Sequence, residues 1–215
     1  MIEKIAAAGI IPAITLPEIE KAEKLVQVLW QSGIKCAEVT FRAKGADIVI
    51  SRMRSACPDM LIGAGTVLTA DDAQKAINAG AAFLVSPGFD RGVTEYALQA
   101  GVLPLPGCGT ATEIQSAMGL GLKLVKFFPA EQLGGIDAVK ALGGPFGTMA
   151  LMPTGGISLN NLENYLRLDN VAACGGSFMV KEKLIRESNW ETIGQLCHQA
   201  IEIVTCVRRG KEDGI

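Results

Sequence analysis

Eight short runs of apolar and β-branched residues recur along the chain, and amphipathic segments separate them. The runs begin near Ile11, Cys36, Leu61, Ala82, Val102, Leu122, Ala150 and Val171. Each has the length of a buried strand, whereas the intervening segments, such as 17–31 and 91–100, repeat apolar residues at helical spacing. Strands that alternate with helices in this way predict βα units with parallel strands.

The number of these units favours one (β/α)8 TIM barrel, in the α/β class, that forms a single domain over residues 1–215. The chain has 215 residues, of which 49% are hydrophobic and 20% charged, enough for one sizeable core. An open doubly wound sheet is the alternative. The barrel is preferred because the polar and glycine-rich positions fall at the carboxyl ends of the runs, which converge on one mouth in a barrel.

Lys126 stands near the end of the sixth run, just before Pro129. A lysine ammonium that loses its solvation in an apolar strand is driven towards the neutral amine, a nucleophile for carbonyl groups. This position therefore indicates Schiff-base chemistry. The competing interpretation is a lysine whose stem covers apolar surface while its head reaches water.

The second run places Glu38, Thr40 and Arg42 on one face and apolar residues on the other. In a barrel the polar face points inward, where an unpaired charge would be costly. We interpret Glu38 and Arg42 as groups that a ligand completes. A partly hydrated ion pair near the strand end is the alternative.

Two glycine-rich turns end the seventh and eighth runs, namely Thr154-Gly155-Gly156 and Gly175-Gly176-Ser177. Glycine lets a ligand approach the backbone closely, and exposed amide N–H groups at these strand ends are the usual phosphate cradle of a barrel. One such turn alone would be explained by chain reversal. Two in neighbouring loops favour a phosphate site.

Charge and hydropathy make nucleic acid and membranes unlikely partners. The chain carries 20 basic and 22 acidic residues, a net charge of -2, and no basic block longer than Arg208-Arg209. No apolar stretch approaches the roughly 20 residues of a membrane span, and the N-terminus lacks a secretory apolar region. We expect a cytoplasmic protein whose partner is a small molecule.

Cysteine and histidine usage argues against a metal site. The six cysteines form no Cys-x-x-Cys pair and are expected to be reduced, packed thiols, including Cys108 in its glycine-rich turn. His198 is the only histidine, which leaves a histidine metal site or a Ser-His-Asp triad unsupported. We therefore expect no metal, and we also expect no cofactor.

Seven short motifs follow one another on successive runs. They are Glu38-Val-Thr-Phe-Arg42, Gly63-Ala-Gly-Thr66, Ser86-Pro-Gly88, Pro106-Gly-Cys-Gly-Thr110, Lys126-Phe-Phe-Pro-Ala-Glu131, Pro153-Thr-Gly-Gly-Ile157 and Gly175-Gly-Ser177. Together they closely resemble the 2-keto-3-deoxy-6-phosphogluconate (KDPG) aldolases, also called 4-hydroxy-2-oxoglutarate (KHG) aldolases. The resemblance covers nearly the whole chain.

The resemblance implies a class I, metal-independent lyase. Such an enzyme cleaves KDPG to pyruvate and glyceraldehyde 3-phosphate, and it also cleaves KHG to pyruvate and glyoxylate. Lys126 would form the Schiff base, Glu38 would be the general acid/base, and Arg42 with Thr66 would hold the pyruvyl carboxylate. The residue chemistry agrees, because a protonated imine accepts the electrons of the breaking bond.

By the same resemblance Pro87 and Phe128 line the pocket with Thr154, and the chain forms a homotrimer. Gly155, Gly156, Gly176 and Ser177 remain the candidates for the phosphate. Two other functions stay open, a phosphosugar-binding barrel of different chemistry such as an isomerase, and a non-catalytic carboxylate-binding barrel. An isomerase would need a carboxylate base and no imine-forming lysine.

Overall fold

The computed structural model describes the backbone of residues 1–212 and the side chains of residues 1–210. Short parallel strands alternate with helices throughout this range. The strands are β1 (Ile10–Ile14), β2 (Cys36–Thr40), β3 (Leu61–Gly65), β4 (Phe83–Val85), β5 (Leu103–Leu105), β6 (Gly107–Cys108), β7 (Leu124–Phe127), β8 (Ala150–Pro153) and β9 (Cys174–Gly176). The α-helices are α1 (Ile2–Ala8), α2 (Ala22–Gln31), α3 (Ala46–Ala56), α4 (Ala70–Asn78), α5 (Arg91–Gln99), α6 (Ala111–Gly119), α7 (Gly135–Gly143), α8 (Leu162–Leu166), α9 (Glu182–Arg186) and α10 (Trp190–Glu212). Single 3-10 turns span Ile19–Lys21, Glu131–Leu133 and Phe178–Val180.

The strands of residues 1–212 form two sheets. One has six strands in the order β5-β4-β3-β2-β1-β9, and the other has three in the order β6-β7-β8. In the register of the larger sheet, Ala13 pairs with Glu38 and Thr40 pairs with Gly65. Isolated bridges join Leu151 to Val171 and Thr154 to Gly175 beside the end of β8.

The prediction of a closed eight-stranded (β/α)8 barrel is wrong, because the backbone ladder is divided between these two sheets. The fifth run contains Pro106, which has no amide hydrogen to donate and separates β5 from β6. β5 pairs with β4, whereas β6 pairs with β7. The eighth run is also shorter than expected, since only Cys174–Gly176 forms a strand.

Side chains of both sheets nevertheless pack into one apolar inner cluster. Its members are Ile5, Ala8, Ile11, Cys36, Phe83, Val85, Leu105, Leu124, Met152 and Ala173. Ile5 and Ala8 belong to α1, so this first helix covers the amino ends of the strands. A second, larger cluster fills the space between the strands and the other helices.

The inner face of the strands is apolar at the amino ends and polar at the carboxyl ends. Cys36 of β2 and Leu124 of β7 lie in the inner cluster, and two residues later the same faces present Glu38 and Lys126. Apolar side chains therefore occupy the amino ends and polar side chains the carboxyl ends. Among the described helices, none is both long and apolar enough to cross a membrane.

Candidate active site

A pocket of about 270 Å³ lies where the carboxyl ends of strands from both sheets meet. The site residues expected from the sequence all line it, and they are Glu38, Arg42, Thr66, Pro87, Lys126, Phe128, Thr154, Gly155, Gly156, Gly176 and Ser177. Ala13, Thr40 and Ile157 complete the lining. The expected convergence of the strand ends is therefore present although the ladder is open.

Lys126 and Glu38 form a buried ion pair at the base of this pocket. Lys126 Nζ lies 3.8 Å from Glu38 Oε1, and the two side chains are 8% and 5% exposed. The same ammonium lies 4.9 Å from the centre of the Phe128 ring, within the range of a cation–π contact. Lys123, at the other end of the same run, is exposed and outside the pocket. The pair thus combines an amine and a carboxylate within reach of one bound carbonyl compound.

A glycine in the neighbouring strand makes room for the carboxylate. A Cβ atom added to Gly65 would lie only 2.7 Å from Glu38 Oε1, so a side chain there would displace Glu38. Thr66 follows immediately and adopts a left-handed backbone with φ of 56°. Such a conformation is uncommon for threonine, and it occurs where the surroundings hold the backbone in place.

Arg42 extends from the end of β2 and is held by hydroxyl groups. Its Nη2 donates to Thr15 Oγ1 at 2.9 Å, and its Nε approaches Thr40 Oγ1 at 3.4 Å. Within the described residues it forms no ion pair with a carboxylate. A guanidinium without an acidic partner at a pocket rim is suited to bind a carboxylate through two parallel hydrogen bonds.

The turn after β8 exposes a row of backbone donors. Gly155 and Gly156 have φ of 97° and 81°, the left-handed region that glycine enters without steric cost. Across the part of the chain that the structure describes, the N–H groups of Gly156 and Ile157 donate to no protein acceptor. Successive free N–H groups of this kind form an anion-binding concavity.

The carbonyl groups of the same turn are bound, which holds the turn open. Glu131 N donates to Gly155 O at 3.2 Å, and Asn161 Nδ2 donates to Gly156 O at 3.0 Å. The Tyr165 hydroxyl donates to Glu131 Oε1 and ties α8 to this segment. Burial, followed by the hydrogen bond to Glu131, raises the pKa of Tyr165, so it remains a neutral donor.

Other reactive residues lie outside the pocket. Burial raises the pKa of the Cys108 thiol to about 12, and the Glu113 carboxylate adds to this effect. A thiol with such a pKa is a poor nucleophile. His198 lies on α10, away from the strand ends. Within the described residues, no group of three or more His, Cys, Asp or Glu side chains is placed to hold a metal ion.

Sequence reasoning missed part of the lining. Thr40 belongs to the polar face of β2 and was recognisable from its alternation with Glu38, but it was not assigned to the site. Ala13 and Ile157 are small or apolar residues whose type gives no signal. Thr15 lies behind Arg42, and its contact becomes evident only once β1 is paired with β2.

Comparison with known proteins agrees with this geometry. The family model described as KDPG and KHG aldolase matches residues 1–196. A 2-dehydro-3-deoxy-phosphogluconate aldolase of Treponema pallidum is 45% identical over 202 residues, which cover 94% of this chain and 96% of that protein. A KHG/KDPG aldolase of Escherichia coli is 35% identical over 201 residues, covering 93% and 94%.

A solved structure shows the same similarity in three dimensions. The KDPG aldolase from Legionella pneumophila, described with pyruvate captured at low pH as a covalent carbinolamine intermediate, superimposes with a TM-score of 0.90. It is 38% identical, and the match covers 93% of this chain and 98% of that one. The chain belongs to the KDPG and KHG aldolase family.

Proposed function

We propose that this protein is a class I aldolase that cleaves KDPG to pyruvate and glyceraldehyde 3-phosphate. The observation that carries the proposal is the buried pair of Lys126 and Glu38, 3.8 Å apart at the base of the pocket. Family membership supports a lyase. The roles of the individual residues are inferred from their chemistry and their positions.

The first step is addition of the Lys126 amine to the C2 carbonyl of the substrate. The resulting carbinolamine loses water and becomes a protonated imine. When the C3–C4 bond breaks, its electron pair moves into this iminium and leaves an enamine of pyruvate. The enamine takes a proton at C3, and water then hydrolyses the imine and releases pyruvate.

Glu38 is the proton carrier of this cycle. Bond cleavage requires removal of the proton from the C4 hydroxyl, so that the aldehyde can leave, and the enamine later needs a proton at C3. The Glu38 carboxylate borders the same space as the Lys126 amine, which supports its action in both transfers. Arg42 binds the C1 carboxylate and directs C2 towards Lys126.

The phosphate is assigned to the turns that contain Gly155, Gly156, Gly176 and Ser177, where the N–H groups of Gly156 and Ile157 are free. These groups line the pocket with the Lys126 and Glu38 side chains. No lysine or arginine other than Lys126 and Arg42 lines this pocket within the described residues. Because the phosphate end relies on backbone donors, it also leaves room for a shorter aldehyde. We therefore include KHG cleavage to pyruvate and glyoxylate as a second activity.

Trapping with borohydride tests the proposal. Incubation with pyruvate and borohydride should attach a three-carbon adduct to Lys126, which peptide mass spectrometry will locate. Lys126→Arg should abolish both the adduct and turnover, whereas Lys123→Arg, a change of the exposed lysine in the same run, should preserve both. A chelator should leave activity intact.

The same experiment separates the other functions. An isomerase or a carboxylate-binding protein would yield no pyruvate adduct. The absence of an adduct on the wild-type protein would therefore reject the aldolase proposal. An adduct on Lys123 instead would show that the pocket has been assigned to the wrong lysine. Steady-state cleavage of KDPG and KHG, measured side by side as pyruvate release, ranks the two substrates.

The assembly and the location of the enzyme are also part of this proposal. We infer a homotrimer and a cytoplasmic location. The latter is favoured by the six cysteines, which are all free thiols. Reduced cysteines are typical of proteins in reducing compartments.

A further inference from the structure

Thr15 is the first residue after β1, is partly buried, and does not line the pocket. Its hydroxyl nevertheless contacts two residues that do, Thr40 and Arg42. We propose that Thr15 is a positioning residue that orients the Arg42 guanidinium for the substrate carboxylate. This inference rests on the proposed aldolase function.

The position of Thr15 follows from the register of two strands. Ala13 pairs with Glu38 and Ile14 with Val39 in the parallel ladder of β1 and β2. One step further, the same register brings Thr15 beside Thr40, and their hydroxyl oxygens lie 2.9 Å apart. The contact is thus built into the sheet and does not depend on a flexible loop.

Arg42 depends on this contact because it has little other support. The residue is exposed, and its hydrogen bonds within the described residues go to Thr15 Oγ1 at 2.9 Å and, more weakly, to Thr40 Oγ1 at 3.4 Å. A long side chain free in solvent must lose rotamer freedom when it binds a ligand. The Thr15 hydroxyl removes part of that cost by holding the guanidinium before the substrate arrives.

The direction of the hydroxyl protons strengthens the assignment. Thr15 Oγ1 accepts from Arg42, so its own proton is free to be donated to Thr40 Oγ1. Thr40 then has an unused proton, and Thr40 lines the pocket. In this arrangement both the guanidinium and the Thr40 hydroxyl present donors to the carboxylate.

Thr15→Val tests the idea because it removes the hydroxyl at nearly constant volume. The KM for KDPG and the pyruvate concentration that gives half-maximal borohydride trapping should both rise about tenfold, the effect of losing one hydrogen bond to a charged group. The kcat should stay within about twofold, as expected when an interaction common to the bound and transition states is removed. Thr15→Ser, which keeps the hydroxyl, should restore both values.

Two controls separate positioning from general damage. Thr205→Val removes an exposed hydroxyl that is bonded within α10 and should change neither KM nor trapping. In a double-mutant cycle, Thr15→Val should have little further effect on KM once Arg42 is replaced by Lys, since the two residues act in series.

The outcomes distinguish this inference from the function on which it rests. If the wild-type protein forms no pyruvate adduct, the aldolase proposal itself fails. If the wild type forms the adduct and Thr15→Val traps pyruvate at the same concentration, the positioning role is rejected. Additive effects of Thr15→Val and Arg42→Lys would likewise reject it.

Discussion

The candidate catalytic chemistry depends on two buried side chains with opposite charge. Lys126 and Glu38 are both buried, so water has little access to either. Their ion pair leaves both groups in place for a carbonyl compound that enters from the open end of the pocket. Each group therefore has a role that a substitution can remove separately.

Glu38→Gln keeps the shape of the side chain but cannot accept a proton. We expect kcat to fall by about 10²–10⁴-fold, the usual loss when a general acid/base is removed. Burst trapping with pyruvate and borohydride should still modify Lys126, since the amine is intact. Turnover of Glu38→Gln near the wild-type rate would mean that another group moves the proton.

Arg42→Lys provides the comparison just beyond the end of the same strand. It keeps the positive charge but loses the planar fork and the bonds to Thr15 and Thr40. We expect a higher KM for KDPG and weaker pyruvate trapping, with a smaller loss in kcat than Glu38→Gln shows. Equal kcat losses for both variants would contradict separate roles.

The residues that the sequence revealed are those that break a local rule. Glu38, Arg42 and Lys126 are charged residues in or next to buried strands, and such placements require a partner. Thr15 breaks no rule, because a threonine beside the end of a strand is ordinary. Its role depends on a contact between positions 27 residues apart, which no local pattern contains.

At the scale of secondary structure, local signals were reliable and strand pairing was not. Gly33, Gly80, Gly101 and Gly121 each follow a helical pattern in the sequence, as a left-handed cap requires, and all four have positive φ. The sequence predicts one strand for the fifth run, although the run contains Pro106. Proline removes a donor, but whether the ladder then divides depends on which neighbours the two halves find.

The turns after β8 and β9 allow a prediction about the phosphate. Removing the 6-phosphate from the substrate should lower kcat/KM more than Ser177→Ala does, because the dephosphorylated substrate loses all of the donor contacts at once. Ser177→Ala removes one hydrogen bond to a charged group, worth about 1.5–3 kcal/mol. Steady-state kinetics with both substrates and both proteins measures the difference.

Gly156→Ala gives a second measurement at the same turn. A Cβ atom at Gly156 would lie 2.3 Å from Glu131 Cγ, so the turn must shift. The kcat/KM for the phosphorylated substrate should therefore fall more than the kcat/KM for its dephosphorylated form. Gly121→Ala is the matched control, because Gly121 has φ of 80° and lies in open space after α6. Equal kcat/KM for the two substrates with the wild-type enzyme would show that these glycines only turn the chain and would favour KHG as the main substrate.

For the whole molecule, the number and order of the strand–helix units follow from periodicity, whereas closure does not. Each run is recognisable from its own residues. Closure of a ladder depends on hydrogen bonds between runs, which the residues of a single run do not reveal, and the ends of β8 and β9 are joined only by isolated bridges. The expected grouping of the site residues in one pocket is nevertheless observed, because it requires only that the strand ends meet and does not require an unbroken ladder.

The proposed homotrimer is testable in solution. Sedimentation or light scattering should give a mass three times that of the 22.6 kDa chain. Lys126→Arg should give the same mass, because the change lies inside the pocket and leaves the surface intact. A monomer at the concentrations used for the activity assay would reject the trimer.

Because the strands form two sheets, the inner cluster also fixes the position of one sheet relative to the other. Glu38 belongs to the six-stranded sheet and Lys126 to the three-stranded sheet. The distance between Glu38 Oε1 and Lys126 Nζ therefore depends on how the two sheets are positioned relative to each other. Few backbone hydrogen bonds join the two sheets. Packed side chains of the inner cluster, such as Phe83, Leu124 and Met152, must therefore hold the sheets in place. A core substitution far from the pocket that lets the sheets shift would therefore separate Lys126 from Glu38 and slow the proposed reaction. The packing of the apolar inner cluster thus sets the distance between the two groups to which the proposed reaction assigns imine formation and proton transfer.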